Sequence, residues 1–265
     1  MQKITEQPGP YRHLEQQPTE ELLTNINRED KKVAIAVEAC IPAITALVDA
    51  IVPRMQRGGR IFYSGAGTSG RLGVLDASEC PPTFGVPPDW VVGLIAGGDH
   101  ALRHPVESAE DAEGQGWLDL EAHNIGPEDT LIGIAASGTT PYVVGGLKAC
   151  QKRGILTGCV TCNPGAPVTK HADHPIVAVV GPEVVTGSTR MKSGTAQKLI
   201  LNMITTTTMI RLGRVKDNRM VDMQLSNAKL VDRGTKMIVE ALGIPYEEAK
   251  RRLLLTGSVR KVIEG

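Results

Sequence analysis

The feature that most constrains this chain is an alternation. Five short apolar runs, Ile61–Ser64, Val91–Ala96, Leu131–Ala136, Leu156–Thr161 and Ile176–Val180, are separated by longer stretches, some of clear helical character such as Tyr142–Arg153. The runs are apolar at consecutive positions rather than at every second one, which suits strands buried on both faces. Strand, helix and strand in repetition predict right-handed βαβ crossovers and a parallel sheet. The expected class is α/β, with a five-stranded parallel sheet between helical layers.

The flanks read differently. Residues 1–17 form a polar arm, and residues 18–57 are helical. Thr19-Glu-Glu-Leu-Leu begins one helix, while Ile44, Leu47, Val48, Ile51 and Met55 share one face of the next, which Gly58-Gly59 stops. A long helix is expected from Ser193 to about Leu212, then small helices from Met220 to Gly265 broken at Gly243-Ile-Pro245. The expected division is 1–57 packed on the sheet, 58–219 as the core and 220–265 as a small helical segment. Of the connections between runs, residues 97–129 make the longest, which marks it as a carrier of function.

Composition excludes several roles. Lys and Arg number 29 against 29 Asp and Glu, so no basic excess points to nucleic acid. Aromatics are 3%, too few for base-stacking platforms, whereas 41% hydrophobic residues can bury a core. The apolar stretch Val33–Val52 is interrupted by Glu38, Pro42 and Asp49, so no bilayer span and no membrane partner are expected. Five cysteines without a preceding apolar leader segment predict reduced thiols in a cytoplasmic protein. Cys159 and Cys162 form a single CxxC whose offset of three sends them to opposite faces of a strand, which argues against zinc and leaves a redox pair open. His100 and His104 are spaced as in some zinc helices, but no HExxH is present and Pro105 disrupts the turn, so no metal is expected.

The turns after the strands carry the chemistry. Gly65-Ala-Gly67-Thr68-Ser69-Gly70 follows the first run and opens a helix, matching G-x-G-x-x-G. Amides at a helix start attract anions, and the hydroxyls of Thr68 and Ser69 suit sugar or phosphate oxygens. Asp99 comes 29 residues after Gly70 rather than about 20, which argues against a nicotinamide cofactor. A glycine turn without a ligand is the competing interpretation. Ser137-Gly138-Thr139-Thr140-Pro141 repeats the arrangement after the third run and reads either as a phosphate nest or as an ordinary helix cap. Two such loops at strand carboxyl ends point to a ligand crevice at a topological switch point.

Three acidic stretches are candidates for acid–base work. Glu79 precedes Cys80-Pro81-Pro82, where the prolines are expected to end the helix and the dipole to raise the carboxyl pKa. Nine residues of straight helix put it roughly 13 Å beyond Gly70. It can reach a site at that loop only if the helix bends or another subunit's site receives it, and a solvated surface carboxylate is the plain alternative. Glu107 and Glu110, three apart in the long connection, share a helical face, as paired catalytic acids or as an exposed acidic helix start. Glu183 and Ser188 through Lys192 place acidic, hydroxyl and basic groups together, suiting an anionic sugar. There the alternative is a helix start capped by Ser193 with Lys192 in solvent.

Taken together, Gly65–Pro82, Gly93–Gly98, Ala135–Gly138, Cys162–Gly165, Gly181–Lys192 and Met220–Asp222 resemble the N-acetylmuramic acid 6-phosphate etherases over nearly the whole chain. The first and fifth of these stretches are shared mainly with glucokinase regulatory proteins, which bind sugar phosphates on the same fold without the chemistry. The resemblance implies the sugar isomerase (SIS) fold, a three-layer αβα sandwich. It also implies a homodimer, an amino-sugar phosphate as small-molecule partner, and no cofactor. The implied reaction is cleavage of the D-lactyl ether of N-acetylmuramic acid 6-phosphate in cell-wall recycling. By motif match Glu79 falls on the family's proton donor and Glu110 on its second catalytic acid. Gly67, Thr68 and Ser69 fall on the sugar-binding turn, and Ser137, Gly138, Thr139 and Thr140 on the phosphate loop. Position 139 is Thr where many relatives are expected to carry Arg, and the C-terminal segment is expected to be shorter than in longer members. A non-catalytic sugar-phosphate sensor, an aldose–ketose isomerase and, more distantly, a dehydrogenase are the alternatives. Glu79 and Glu110 together favour the etherase.

Overall fold

The computed structural model describes residues 3–265; Met1 and Gln2 of the expected polar arm lie outside the described residues. The arm is followed by α1 (Thr19–Glu38) and α2 (Ile41–Gln56), then β1 (Ile61–Gly65) and α3 (Gly67–Phe84). Next come β2 (Val91–Ile95), the short α4 (His100–Arg103), α5 (Gln115–Ala122), β3 (Thr130–Ile134) and α6 (Pro141–Lys152). The chain continues through β4 (Leu156–Thr161), β5 (His174–Val177), α7 (Lys192–Arg211), α8 (Ala228–Leu242), α9 (Tyr246–Thr256) and α10 (Val259–Glu264).

All five strands pair in parallel, in the order β2-β1-β3-β4-β5. Side chains alternate across the sheet. Ile61 and Tyr63 enter the apolar layer under α1, α2, α3 and α7, whereas Phe62 enters the layer with Leu120 of α5 and Leu147 of α6. Burial on both faces is why β1, β3 and β4 lack the polar alternation of a half-exposed sheet. The same alternation separates Cys159 and Cys162 into opposite layers, as their offset predicts. All five cysteines are free and buried.

The expected face of α2 is buried, from Ile44 to Met55. Two elements depart from expectation at their ends. β5 begins at His174 and stops at Val177, because β4 ends at Thr161 and offers only one further carbonyl, which the Ala178 amide takes. α3 does not end before its prolines. It runs through Pro81 and Pro82 to Phe84 and closes when the Gly85 amide donates to Pro81 O at 2.9 Å, with Gly85 at φ 63°. Residues from Val221 onward gather a small apolar cluster of their own, with Met223, Ile238 and Leu253 at its centre. Among the described residues no single helix is long and apolar enough to cross a membrane.

Candidate active site

In this strand order the chain reverses direction between β1 and β3, the switch point where open parallel sheets bind ligands. The loops after these two neighbouring strands are the two hydroxyl-rich turns. The first is tight because Gly65 and Gly70 touch: a Cβ on Gly70 would lie 2.8 Å from Gly65 O and 2.6 Å from Ile95 Cγ1. In the second, Gly138 adopts φ 70°, and a Cβ there would lie 2.3 Å from that of Ala166. Gly138 is thus buried beneath the loop and shapes it.

The loops border a cleft of about 480 Å³. Gly67, Thr68 and Ser69 line one side, and Ser137, Thr139 and Thr140 the other. Neither helix start is capped by its own side chain: Ala66 cannot cap α3, and Thr140 makes no capping bond to α6. First-turn amides of α3 are therefore available to an anion, whereas at α6 Pro141 has no N–H and the Val143 amide donates to Thr140 O at 3.1 Å, which leaves the Tyr142 amide. The Thr139 amide and hydroxyl donate to Ser137 Oγ at 3.3 and 3.1 Å, which fixes that hydroxyl. Ser69 is more committed than expected, because its hydroxyl donates to Gln197 Oε1 at 3.0 Å.

Glu110 joins the site from the long connection. Residues Glu107–Asp111 form a 3₁₀ turn, in which positions three apart eclipse, so Glu107 and Glu110 share a face. Glu110 borders the cleft, and together with Glu107, Arg71 and Gly67 it also lines an adjoining hollow of about 310 Å³. The Arg71 guanidinium donates to Leu102 O and Ala101 O at 2.9 and 2.8 Å, anchoring the connection beside the first loop.

Glu79 does not join them within one chain. It is exposed, twelve residues beyond Gly67 on an unbroken helix, which is roughly 18 Å along the axis. Since α3 continues to Phe84, Glu79 lies before the final turn rather than at the helix end. The expectation for Glu183 is corrected. Its carboxylate is fully buried and accepts from Lys192 N, Ser193 N and Ser193 Oγ at 2.9, 2.9 and 2.8 Å, so it caps α7. Ser188 lies outside the cleft lining, which its neighbour Thr189 reaches instead. Lys192 is neither in solvent nor in the cleft: its Nζ donates to the buried Glu29 Oε2 at 2.8 Å. Burial opposes ionisation of Glu29, yet the Lys192 and Lys32 ammonium groups hold its carboxyl at about 2. His100 and His104 stack with ring centroids 4.8 Å apart, and His104 falls beyond α4.

Sequence reasoning missed three groups at the cleft. Asp111 lines it, as do Lys3 and Glu6 from the N-terminal arm. A polar arm signals nothing about where it lies, and its contacts join residues far apart in sequence.

Comparison with known proteins places these features in a family. The glucokinase regulatory protein N-terminal SIS domain matches residues 43–151, and the SIS domain matches residues 106–207. An N-acetylmuramic acid 6-phosphate etherase of Bacteroides fragilis is 65% identical over 262 residues, 99% of this chain and 93% of the relative. One of Porphyromonas gingivalis is 64% identical, covering 98% and 94% of the two chains. One of Salmonella dublin is 55% identical, covering 92% and 82%. Among solved structures, a phosphoheptose isomerase from Neisseria gonorrhoeae shares the fold at TM-score 0.53 and 15% identity, covering 72% of this chain and 98% of that one. The Vibrio vulnificus NanR protein complexed with ManNAc-6P does so at TM-score 0.51 and 15% identity, covering 75% and 68%.

Proposed function

The chain belongs to the N-acetylmuramic acid 6-phosphate etherase family, and from that premise we propose that its cleft cleaves the D-lactyl ether of N-acetylmuramic acid 6-phosphate as a carbon–oxygen lyase. The observation that carries the proposal is the convergence of two uncapped helix starts and the Ser137 loop on a cleft that also holds Glu110. The phosphate sits on the α6 start among Ser137, Thr139 and Thr140. The sugar extends toward Gly67 and Thr68. In the open-chain aldehyde the C2 proton is acidified. A carboxylate base, Glu110, removes it, the C3–O bond breaks, and an acid, Glu79, protonates the departing lactate oxygen. Water then adds across the C2–C3 double bond, placing its hydroxyl at C3 and giving N-acetylglucosamine 6-phosphate. Two carboxyl groups divide base and acid duty, and the fixed phosphate supplies remote binding energy that orients the sugar.

Because Glu79 is exposed and remote from its own cleft, it serves the cleft of a second copy in a homodimer. The enzyme acts in the cytoplasm, in recycling of cell-wall amino sugars. Incubation with N-acetylmuramic acid 6-phosphate in H₂¹⁸O tests the proposal. Release of D-lactate with ¹⁸O at C3 of the sugar is expected. Saturable binding of the sugar phosphate without lactate would overturn the lyase assignment and favour a sensor.

A further inference from the structure

The charges of the cleft do not match a phosphate on their own. Its lining carries three carboxylates, Glu6, Glu110 and Asp111, and among the described residues that line it a single cation, Lys3. The phosphate loop itself is neutral from Ser137 to Thr140. Arg71 lines the adjoining hollow, and its guanidinium is engaged with backbone carbonyls. A phosphomonoester brings a charge of about −1.5 to −2 at neutral pH. Two helix starts offset about half a charge each. About half to one unit of positive charge is still needed, before the three carboxylates are counted, and its one source in the lining stands on the N-terminal arm.

The arm is built into the cleft. Thr5 is fully buried; its amide donates to Asn163 Oδ1 at 3.2 Å. The Asn163 amide nitrogen in turn donates to Thr5 Oγ1 at 3.0 Å and to the carbonyls of Ala136 and Ser137 at 3.1 and 3.3 Å. One side chain therefore holds both the arm and the backbone of the phosphate loop. Farther along, the Gly9 amide donates to Thr186 Oγ1 at 3.1 Å, and a Cβ there would lie 2.4 Å from Glu183 O, so the arm is seated closely at a second point. Ile4–Glu6 form a 3₁₀ turn in which the Glu6 amide donates to Lys3 O at 3.2 Å. Positions three apart eclipse in such a turn, which is why Lys3 and Glu6 both face the cleft.

We propose that Lys3 is the phosphate's counter-cation, delivered from the start of the chain by an arm that Asn163 locks to the phosphate loop. This rests on the assignment of the Ser137 loop as the phosphate site. Lys3 binds the substrate and takes no part in proton transfer, so it sets affinity for the phosphorylated sugar and leaves the chemical step alone.

Calorimetric titration of the full chain, tagged only at its C-terminus, with N-acetylglucosamine 6-phosphate tests this. Lys3→Met should raise Kd about tenfold or more, the loss of a charge-assisted hydrogen bond. Lys3→Arg should stay within about threefold of the parent, since it retains the charge. In turnover, Lys3→Met should raise KM with kcat nearly unchanged. Inhibition by inorganic phosphate should weaken in parallel. Parent-like affinity in Lys3→Met, alongside weakened binding in Ser137→Ala, would overturn the role of Lys3 and leave the phosphate site standing. Parent-like affinity in both variants would overturn the site and the role together. A fall in kcat equal to the fall in kcat/KM would also overturn it, since that marks a part in the chemical step.

Discussion

Two stretches of this chain read alike and behave differently. Ser137–Thr140 and Glu183–Ser193 each put hydroxyls and other polar groups between an apolar strand and a helix. In the first, no side chain caps α6, and the hydroxyls of Ser137 and Thr140 border open space. In the second, Glu183 takes both first amides of α7, and Lys192 is drawn inward to Glu29. The first arrangement leaves donors for a ligand, while the second has answered its own at the start of α7 and reaches the cleft only through Thr189. Polar density marks a site only where the polar groups lack internal partners.

That contrast can be broken by substitution. The largest effect is expected at Glu110→Gln, which should lower kcat/KM by about 10²–10⁴-fold with little change in melting temperature. Lys192→Met should do the reverse. Glu29 would keep only Lys32 at 2.7 Å and the Tyr11 hydroxyl at 3.2 Å, and the lost buried partner should cost about 1–3 kcal/mol in denaturant unfolding, while the folded fraction turns over normally. A catalytic loss in Lys192→Met beyond its loss of folded protein would erase the distinction.

The same pair sets a pH dependence. The Glu29 carboxyl is held at about 2 in the folded chain against an ordinary value of 4.5. A depressed carboxyl contributes stability above the unfolded value, and that contribution fades as pH falls from about 4.5 toward 2. Unfolding free energies measured across this window should slope in the parent and lose part of that slope in Glu29→Gln. A smaller effect is expected at Ser137→Ala, which should raise KM by about tenfold. Smallest is Ser188→Ala, outside the cleft, which should shift stability by less than about 0.5 kcal/mol and KM by less than about twofold.

The sheet was legible because burial on two faces leaves a mark on residue type. Ile61–Ser64, Leu131–Ala136 and Leu156–Thr161 name their strands to within a residue or two of the structure. β5 was less so, since the apolar run continues through Ala178, Val179 and Val180, past the end of the paired strand at Val177. The hydroxyl loops were legible because glycine and proline punctuate them. The fate of Glu183 was not, because a carboxylate that caps a helix and one that meets a sugar are the same residue beside the same neighbours. Lys3 was hidden for another reason. Its arm is placed by Thr5 and Asn163, which lie 158 residues apart, and local pattern carries no trace of so distant a pairing.

Glu79 lies between these cases. Its motif identifies the residue, whereas the straight run of α3 removes it from its own cleft. In the homodimer proposed above, two carboxylates from different copies meet across one site. The direct test mixes inactive Glu79→Gln and Glu110→Gln proteins, lets subunits exchange and assays D-lactate release. Random exchange makes half of the dimers mixed, each with one intact site, so activity should return to about a quarter of the parent value. A mixture that forms mixed dimers by native mass spectrometry yet stays as inactive as its parents would contradict the account.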